Sequence, residues 1–283
     1  MSSKRPIIIS IEGNIGAGKS TILEQLEKYI ATHENKINKK ILFLKEPVDI
    51  WEAIKDDETG ENILQKFYSD PHKYAFSFQV MAYSTRLRLI RKAVRENPDC
   101  DIIICERSLE ADKQIFARML SDDGVIGNVE YKIYKQFCTE FSDEFGLSGV
   151  IYIDADAEVC YKRVNKRRRE GEDAIPLDYL QKCKDYHDQW LIYIPIEFTP
   201  TKNMNPQDGL NSSWSMTDEH LNPSPEGTDL NHQRFKLLRI DTNPDIEYNL
   251  MDSNNFGAQW LFLINEFIGE FIQDSDKMDM LEI

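Results

Sequence analysis

Eight residues near the start of the chain have the types and spacing to hold a string of phosphates. Gly13-Asn14-Ile15-Gly16-Ala17-Gly18-Lys19-Ser20 is a complete G-x-x-x-x-G-K-S loop, with Thr21 next. Glycines at 13, 16 and 18 let backbone N–H groups converge on phosphate oxygens without Cβ clashes. A helix starting after the loop would add the positive end of its dipole. Lys19 would reach the transferred phosphate, and the Ser20 hydroxyl would ligate Mg²⁺. A chance glycine turn is the alternative, and the flanks argue against it. An apolar run, Ile7-Ile8-Ile9-Ser10-Ile11, precedes the loop, and Thr21–Leu26 follows with apolar residues at helical spacing. The loop implies a bound nucleotide and leaves the reaction open.

Three further groups could do chemistry. Glu46 ends an apolar run in Leu44-Lys45-Glu46-Pro47, where a carboxylate could accept a proton from an attacking hydroxyl; a solvated loop glutamate reads as well. Glu106-Arg107-Ser108 follows Ile102-Ile103-Ile104-Cys105. Its acid could hold a metal shell and its arginine a phosphate, the alternative being a strand-end ion pair. Lys162, Arg163, Lys166, Arg167, Arg168 and Arg169 place six basic residues in eight. In a chain of formal charge −15, a local phosphate role is more economical than a solvated face or a localisation signal.

These groups need a scaffold that brings them together. Ile7–Ile11, Ile41–Lys45, Ile102–Cys105, Val150–Ile153 and Leu237–Ile240 read as strands, near-continuously apolar as in a parallel sheet covered on both faces. Helical patterns lie between them at roughly 20–30, 61–69, 74–96, 110–120, 130–145, 156–169 and 177–194. The alternation predicts an α/β fold, a doubly wound parallel five-stranded sheet flanked by helices, with ligands at the carboxyl ends of its strands. One domain is expected over 1–283, with 199–233 a polar insertion or mobile loop and 274–283 an acidic, frayed tail.

Composition sets further bounds. Hydrophobic residues make up 41% and charged residues 29%, enough for a sizeable core. The negative charge argues against broad nucleic-acid or anionic-membrane binding. Five widely spaced cysteines without a C-x-x-C pair predict buried thiols in a reducing compartment rather than disulfides or zinc. The opening residues, Met1 to Pro6, leave no room for a targeting peptide, and no apolar run could span a membrane, so a cytoplasmic location is expected.

Several stretches together resemble the deoxynucleoside kinase family, which includes deoxycytidine and deoxyguanosine kinases. They are Gly13–Thr21, Lys45-Glu46-Pro47-Val48-Asp49-Ile50-Trp51, Phe76-Ser77-Phe78-Gln79, Glu106-Arg107-Ser108, and the Arg163–Arg169 cluster before Ile175-Pro176-Leu177. The resemblance covers roughly residues 5–195 and implies a P-loop kinase with an arginine-rich lid. It implies that Glu46 takes the proton of the nucleoside 5′-hydroxyl and that Arg107 lies near that hydroxyl. Gln79 would make a paired hydrogen bond to the base between walls formed by Phe78, Trp51 and Phe116. Spacing alone would assign Phe78 to a core stripe. Tyr68 and Glu172 would bond the sugar 3′-hydroxyl, and Arg163, Arg167 and Arg169 would close on ATP. Arg168 stands where a small residue is expected between two lid arginines.

Arg86 lies seven residues after Gln79, on the same helix face, and Asp112 follows the Glu106-Arg107-Ser108 turn. With Ala82, this pair resembles the cytosine or purine type, since an acid favours an exocyclic amine and repels a carbonyl. A plain interhelical salt bridge is the alternative. The expected activity is ATP- and Mg²⁺-dependent 5′-phosphorylation of a deoxynucleoside, with Ser20 and Glu106 at the metal, and the family implies a homodimer through long helices. A thymidylate kinase-like enzyme would need extra basic residues for an acceptor phosphate. A non-catalytic relative would have lost the loop or Glu46, and a regulatory GTPase would carry an N-K-x-D stretch that is missing here.

Overall fold

The apolar runs become five strands of one parallel sheet: β1 (Ile7–Gly13), β2 (Ile41–Leu44), β3 (Ile102–Glu106), β4 (Gly149–Asp154) and β5 (Lys236–Asp241). Their order is β2-β3-β1-β4-β5, and every pairing is parallel. The computed structural model describes residues 5–32, 39–141, 144–169, 172, 175–192, 235–249, 252 and 255–281. The segment 199–233 lies outside them.

Ten α-helices surround the sheet among the described residues: α1 (Lys19–Thr32), α2 (Val48–Ala53), α3 (Ile63–Ser69), α4 (Pro71–Glu96), α5 (Leu109–Ala111), α6 (Arg118–Asp122), α7 (Asn128–Thr139), α8 (Ala157–Arg167), α9 (Leu177–Ile192) and α10 (Phe256–Leu281). A π-helical stretch, Asp112–Ala117, joins α5 to α6. Successive β1 residues alternate between the two faces, as the period of a strand requires. Ile9 and Ile11 pack with Leu23, Leu26, Leu261 and Phe267 from α1 and α10. Ile8 packs on the other side with Tyr83, Leu87, Ile115 and Tyr134. Both faces are covered, which is why the strands read as nearly unbroken apolar runs.

The differences from expectation are local. No helix is expected over 48–53, yet α2 starts directly after Pro47 and carries Trp51 into the interior. The helix expected over 110–120 contains the π stretch, which buries Asp112, Ile115, Phe116 and Ala117. The α8 helix stops at Arg167 because Arg168 adopts a left-handed backbone, φ 53°. That conformation costs a residue with a side chain about 1–2 kcal/mol, so the small residue expected there has a backbone reason. The helix α10 continues to Leu281, so most of the expected frayed tail is helical.

All five cysteines are buried and unpaired. Burial pushes the thiols of Cys105, Cys138 and Cys183 up to about 12 and that of Cys160 to about 11. No helix among the described residues is long and apolar enough to cross a membrane.

Candidate active site

At the carboxyl end of the sheet, around the switch from β3 to β4 on either side of β1, lies a cleft of about 790 Å³. It brings together residues separated by most of the chain: the loop from Gly16 to Thr21, Glu46, Gln79, Arg107, Arg163 and Glu172 among them. Every predicted site residue lines it except Gly13 and Asn14, the first two residues of the loop. Asn14 is structural, its side chain donating to the Leu180 carbonyl at 2.8 Å and accepting from the Ile15 amide at 2.8 Å.

The loop is tight. Gly16 has φ +83°, and a Cβ there would stand 2.7 Å from the Cys160 carbonyl oxygen and 2.9 Å from Val164 Cγ2. Lys19 Nζ donates to the carbonyls of Gly13 (3.1 Å) and Asn14 (2.8 Å), which keeps it over the loop. Burial and then Arg107 lower its pKa to about 8, against the opposing pull of Glu46, Glu106 and Glu12. Ser20 Oγ donates to Glu106 Oε1 at 2.6 Å. An oxygen from Ser20 in the first turn of α1 and one from Glu106 at the end of β3, beside a phosphate loop, fit a hard cation such as Mg²⁺, which keeps waters and phosphate oxygens as its other ligands.

Glu46 faces this loop from the end of β2. Its Oε1 accepts from Arg86 Nη2 at 3.1 Å and Arg107 Nε at 3.2 Å. Burial pushes its carboxyl up, but Arg107, Arg86 and Lys19 more than reverse that and hold the pKa at about 2. Arg107 reaches it from a left-handed backbone, φ +66°, a conformation that marks a functional turn when a bulky residue holds it. Its guanidinium also donates to the Gly13 carbonyl at 3.2 Å and stands 4.4 Å over the Phe116 ring. Its Nη1 is buried without a hydrogen-bond partner among the described residues.

Arg86 is more than half of a salt bridge. It donates to Asp112 at 2.9 and 3.3 Å, to the Glu106 carbonyl at 3.1 Å, and to Glu46. Burial pushes the Asp112 carboxyl above its ordinary value, against the pull of Arg86. The predicted pair therefore exists, and it is wired to Glu46, which sequence reasoning did not foresee.

Beyond Glu46 the cleft becomes an aromatic slot. Trp51 meets Phe78 edge-on at 5.5 Å, and Phe67, a wall not predicted, stacks on Phe78 at 4.8 Å. Trp51 Nε1 donates to Thr85 Oγ1 at 3.0 Å, which fixes the indole. Gln79 is 2% exposed, and its Oε1 has no hydrogen-bond partner among the described residues. Such a group calls for a polar partner, and the slot between the rings is where a flat one would lie.

The basic cluster divides. Arg163 donates to the Thr242 carbonyl at 2.8 Å and to Asp245 at 3.0 Å, and so ties α8 to the loop after β5. Arg167 and Arg169 instead converge on Glu172. Tyr68 lies near Glu172; burial first, then that carboxylate, push its hydroxyl well above its ordinary value. Tyr179 meets Tyr68 edge-on at 6.2 Å and was also missed, since one tyrosine in an amphipathic helix carries no signal of its own. Glu12, the buried acid before Gly13, did carry one: an acid inside an apolar strand.

Known proteins resemble the chain over most of its length. The family profile described as Deoxynucleoside kinase matches residues 9–222. A probable deoxycytidine kinase of fowlpox virus is 38% identical over 186 residues, which are 65% of this chain and 71% of the viral one. Human deoxycytidine kinase is 32% identical over 65% of this chain and 75% of its own. A mitochondrial deoxyguanosine kinase of Xenopus laevis is 30% identical over 65% of this chain and 72% of its own.

Proposed function

The chain belongs to the deoxynucleoside kinase family, and on that premise we propose how its cleft works. The protein is a phosphotransferase with an alcohol acceptor: it transfers a phosphoryl group from ATP to the 5′-hydroxyl of a nucleoside. One observation carries the assignment of roles. A single cleft holds an ionised Glu46, clamped by two arginines, between the phosphate loop and an aromatic slot containing the unpaired Gln79 oxygen.

In this reading the base enters the slot between Trp51, Phe78 and Phe116 and pairs with Gln79, while Tyr68 and Glu172 receive the sugar 3′-hydroxyl. The 5′-oxygen attacks the γ-phosphorus in line, the new O–P bond forms as the bond to the β-phosphate oxygen breaks, and ADP leaves. Glu46 takes the hydroxyl proton. A carboxylate of pKa about 2 is a weak base, so the proton moves late, once bonding to phosphorus has made the hydroxyl acidic. Before that Glu46 orients the nucleophile. Lys19, the loop amides and Arg107 stabilise charge on the transferring group. Mg²⁺, bound through Ser20 and Glu106, would neutralise the phosphates. Arg163, Arg167 and Arg169 form the lid over the donor, with Arg167 and Arg169 passing from Glu172 to the triphosphate.

The acid of the Arg86–Asp112 pair favours an exocyclic amine, hence deoxycytidine or a purine deoxynucleoside over thymidine. A homodimer through α4 and α7 is supported by the apolar groove of Phe76, Val80, Met81, Ile133 and Phe137, where Ile133 is 54% exposed. A cytoplasmic location is supported by five unpaired thiols.

Glu46→Gln tests the central assignment. Turnover should fall by about 10²–10⁴-fold with nucleoside affinity kept, and unchanged turnover would remove Glu46 from the role of base. A phosphorylation panel of deoxyadenosine, deoxyguanosine, deoxycytidine and thymidine at one ATP concentration tests the specificity; thymidine as best substrate would contradict it.

A further inference from the structure

Glu12 takes no part in the reaction outlined above, yet it is the most deeply buried acid beside the cleft, at 0% exposure. It is the residue of β1 just before the phosphate loop. Its Oε1 accepts the backbone amide of Ser108 at 2.8 Å. Its Oε2 is buried with no hydrogen-bond partner among the described residues. Burial raises its pKa against the pull of Arg107 and of the Ser108 and Ser10 hydroxyls, and so deeply buried an acid is costly unless its bond to the Ser108 amide does something for the molecule.

The bond lies at the turn that aims Arg107. The parallel ladder between β1 and β3 pairs Ile11 with Glu106, and its last bond runs from the Arg107 amide to the Ile11 carbonyl at 3.0 Å. The chain then turns through φ +66° at Arg107, and Ser108 begins the next helix by capping the Ala111 amide at 3.1 Å. Arg107 is thus held from both sides by neighbours on one strand: its own amide on Ile11, and the next amide on Glu12. From that backbone its guanidinium reaches Glu46 at 3.2 Å and the Gly13 carbonyl at 3.2 Å.

We propose that Glu12 is a positioning residue: its carboxylate oxygen holds the Ser108 amide and thereby keeps Arg107 in the left-handed turn from which it addresses Glu46 and the phosphate. This rests on the role given to Arg107 under the proposed function. The competing explanation is charge alone, because Glu12 is also near enough to influence Arg107 and Lys19 electrostatically. The two differ in what the side chain must keep. A positioning role needs the reach of the oxygen, and a counter-charge role needs the ionised group.

Two substitutions separate them. Glu12→Gln keeps the reach and an acceptor oxygen but removes the charge; Glu12→Asp keeps the charge but draws the oxygen back by one methylene. Kinetics would be measured for both, for Arg107→Ala, and for Glu12→Asp combined with Arg107→Ala, using a deoxynucleoside the unmodified enzyme phosphorylates and saturating ATP. Glu12→Gln should stay within about threefold of the unmodified kcat, while Glu12→Asp should lose about 100-fold in kcat with a much smaller change in nucleoside KM. On the Arg107→Ala background, Glu12→Asp should cost less than about threefold more, since its effect runs through that arginine. A larger loss in Glu12→Gln than in Glu12→Asp, or losses that multiply in the double variant, would overturn the proposal. An Arg107→Ala enzyme with unaltered kcat would instead overturn the role of Arg107 itself. A folded Glu12→Asp enzyme with unaltered kcat would also overturn the proposal. Where Glu12→Asp fails to fold, Glu12→Ala takes its place: a loss of about 100-fold in kcat beside a native-like Glu12→Gln supports positioning, and a native kcat in Glu12→Ala overturns it.

Discussion

Replacing Asp112 with alanine removes two of the four hydrogen bonds that Arg86 makes, those at 2.9 and 3.3 Å, and leaves the Glu106 carbonyl and Glu46. Both side chains are nearly sequestered, 4% exposed for Arg86 and 3% for Asp112. Removing one partner of a buried pair costs about 3–5 kcal/mol, because the other charge is left uncompensated. Two partners remain here, and burial already disfavours the ionised Asp112, so the lower end applies, about 3 kcal/mol. At about 2–4 °C per kcal/mol for a chain of this size, the melting temperature should fall by about 6–12 °C. Removing Arg86 as well, as in Arg86→Leu with Asp112→Ala, should recover little of that loss, because it takes from Glu46 one of its two arginines and leaves the Glu106 carbonyl unpaired. The same double variant loses the acceptor that disfavours a carbonyl. Its thymidine-to-deoxycytidine ratio of kcat/KM should therefore rise by at least about tenfold, equivalent to about 1.4 kcal/mol. Calorimetric melting and initial-rate assays on the three proteins read both effects. An Asp112→Ala protein that melts within about 2 °C of the unmodified enzyme would refute the energetic argument. An unchanged substrate ratio in the double variant would refute the argument for specificity.

Two other outcomes follow from the donor side of the cleft. With Lys19 depressed to about 8, the empty site loses its ammonium charge as pH rises through 8, so ATP affinity should be flat below that and weaken by up to about tenfold per unit above it. Titration calorimetry across that range checks this, and a constant Kd would show that Lys19 stays charged. Gly16→Ala puts a Cβ 2.7 Å from a backbone oxygen of α8 at φ +83°, which should destabilise by about 1–3 kcal/mol and weaken ATP binding at least about tenfold. Thermal melting with ATP titration reads both, and a variant with native ATP affinity would mean that the loop tolerates displacement of α8.

Much of the fold could be read from the chain because its parallel sheet is buried on both faces. Each strand is therefore an apolar run, and the functional acids Glu46 and Glu106 follow such runs directly. What escaped reading depends on contacts rather than on local pattern. The Arg86–Asp112 pair is expected from the chain, but nothing in it ties Arg86 to Glu46 until the fold sets the two 3.1 Å apart. The π stretch at Asp112–Ala117 has no periodic signature over so few residues, although it is what buries Asp112 and Phe116 together. The six basic residues read as one lid, but Arg163 is held by the loop after β5 while Arg167 and Arg169 share Glu172, a division that spacing does not encode.

The buried thiols have a practical consequence. Cys105, Cys138, Cys160 and Cys183 sit on β3, α7, α8 and α9, and Cys100 just before β3. Only a thiolate reacts with an alkylating reagent, and neither its formation nor the reagent's access is favoured while the native packing holds. Labelling therefore proceeds through opening, and the five positions become clocks for β3 and for three of the helices. Added ligand stabilises the closed molecule by mass action. Cysteines whose labelling slows with ligand concentration belong to the unit that opens as a whole, and those that keep their rate mark the parts that open alone.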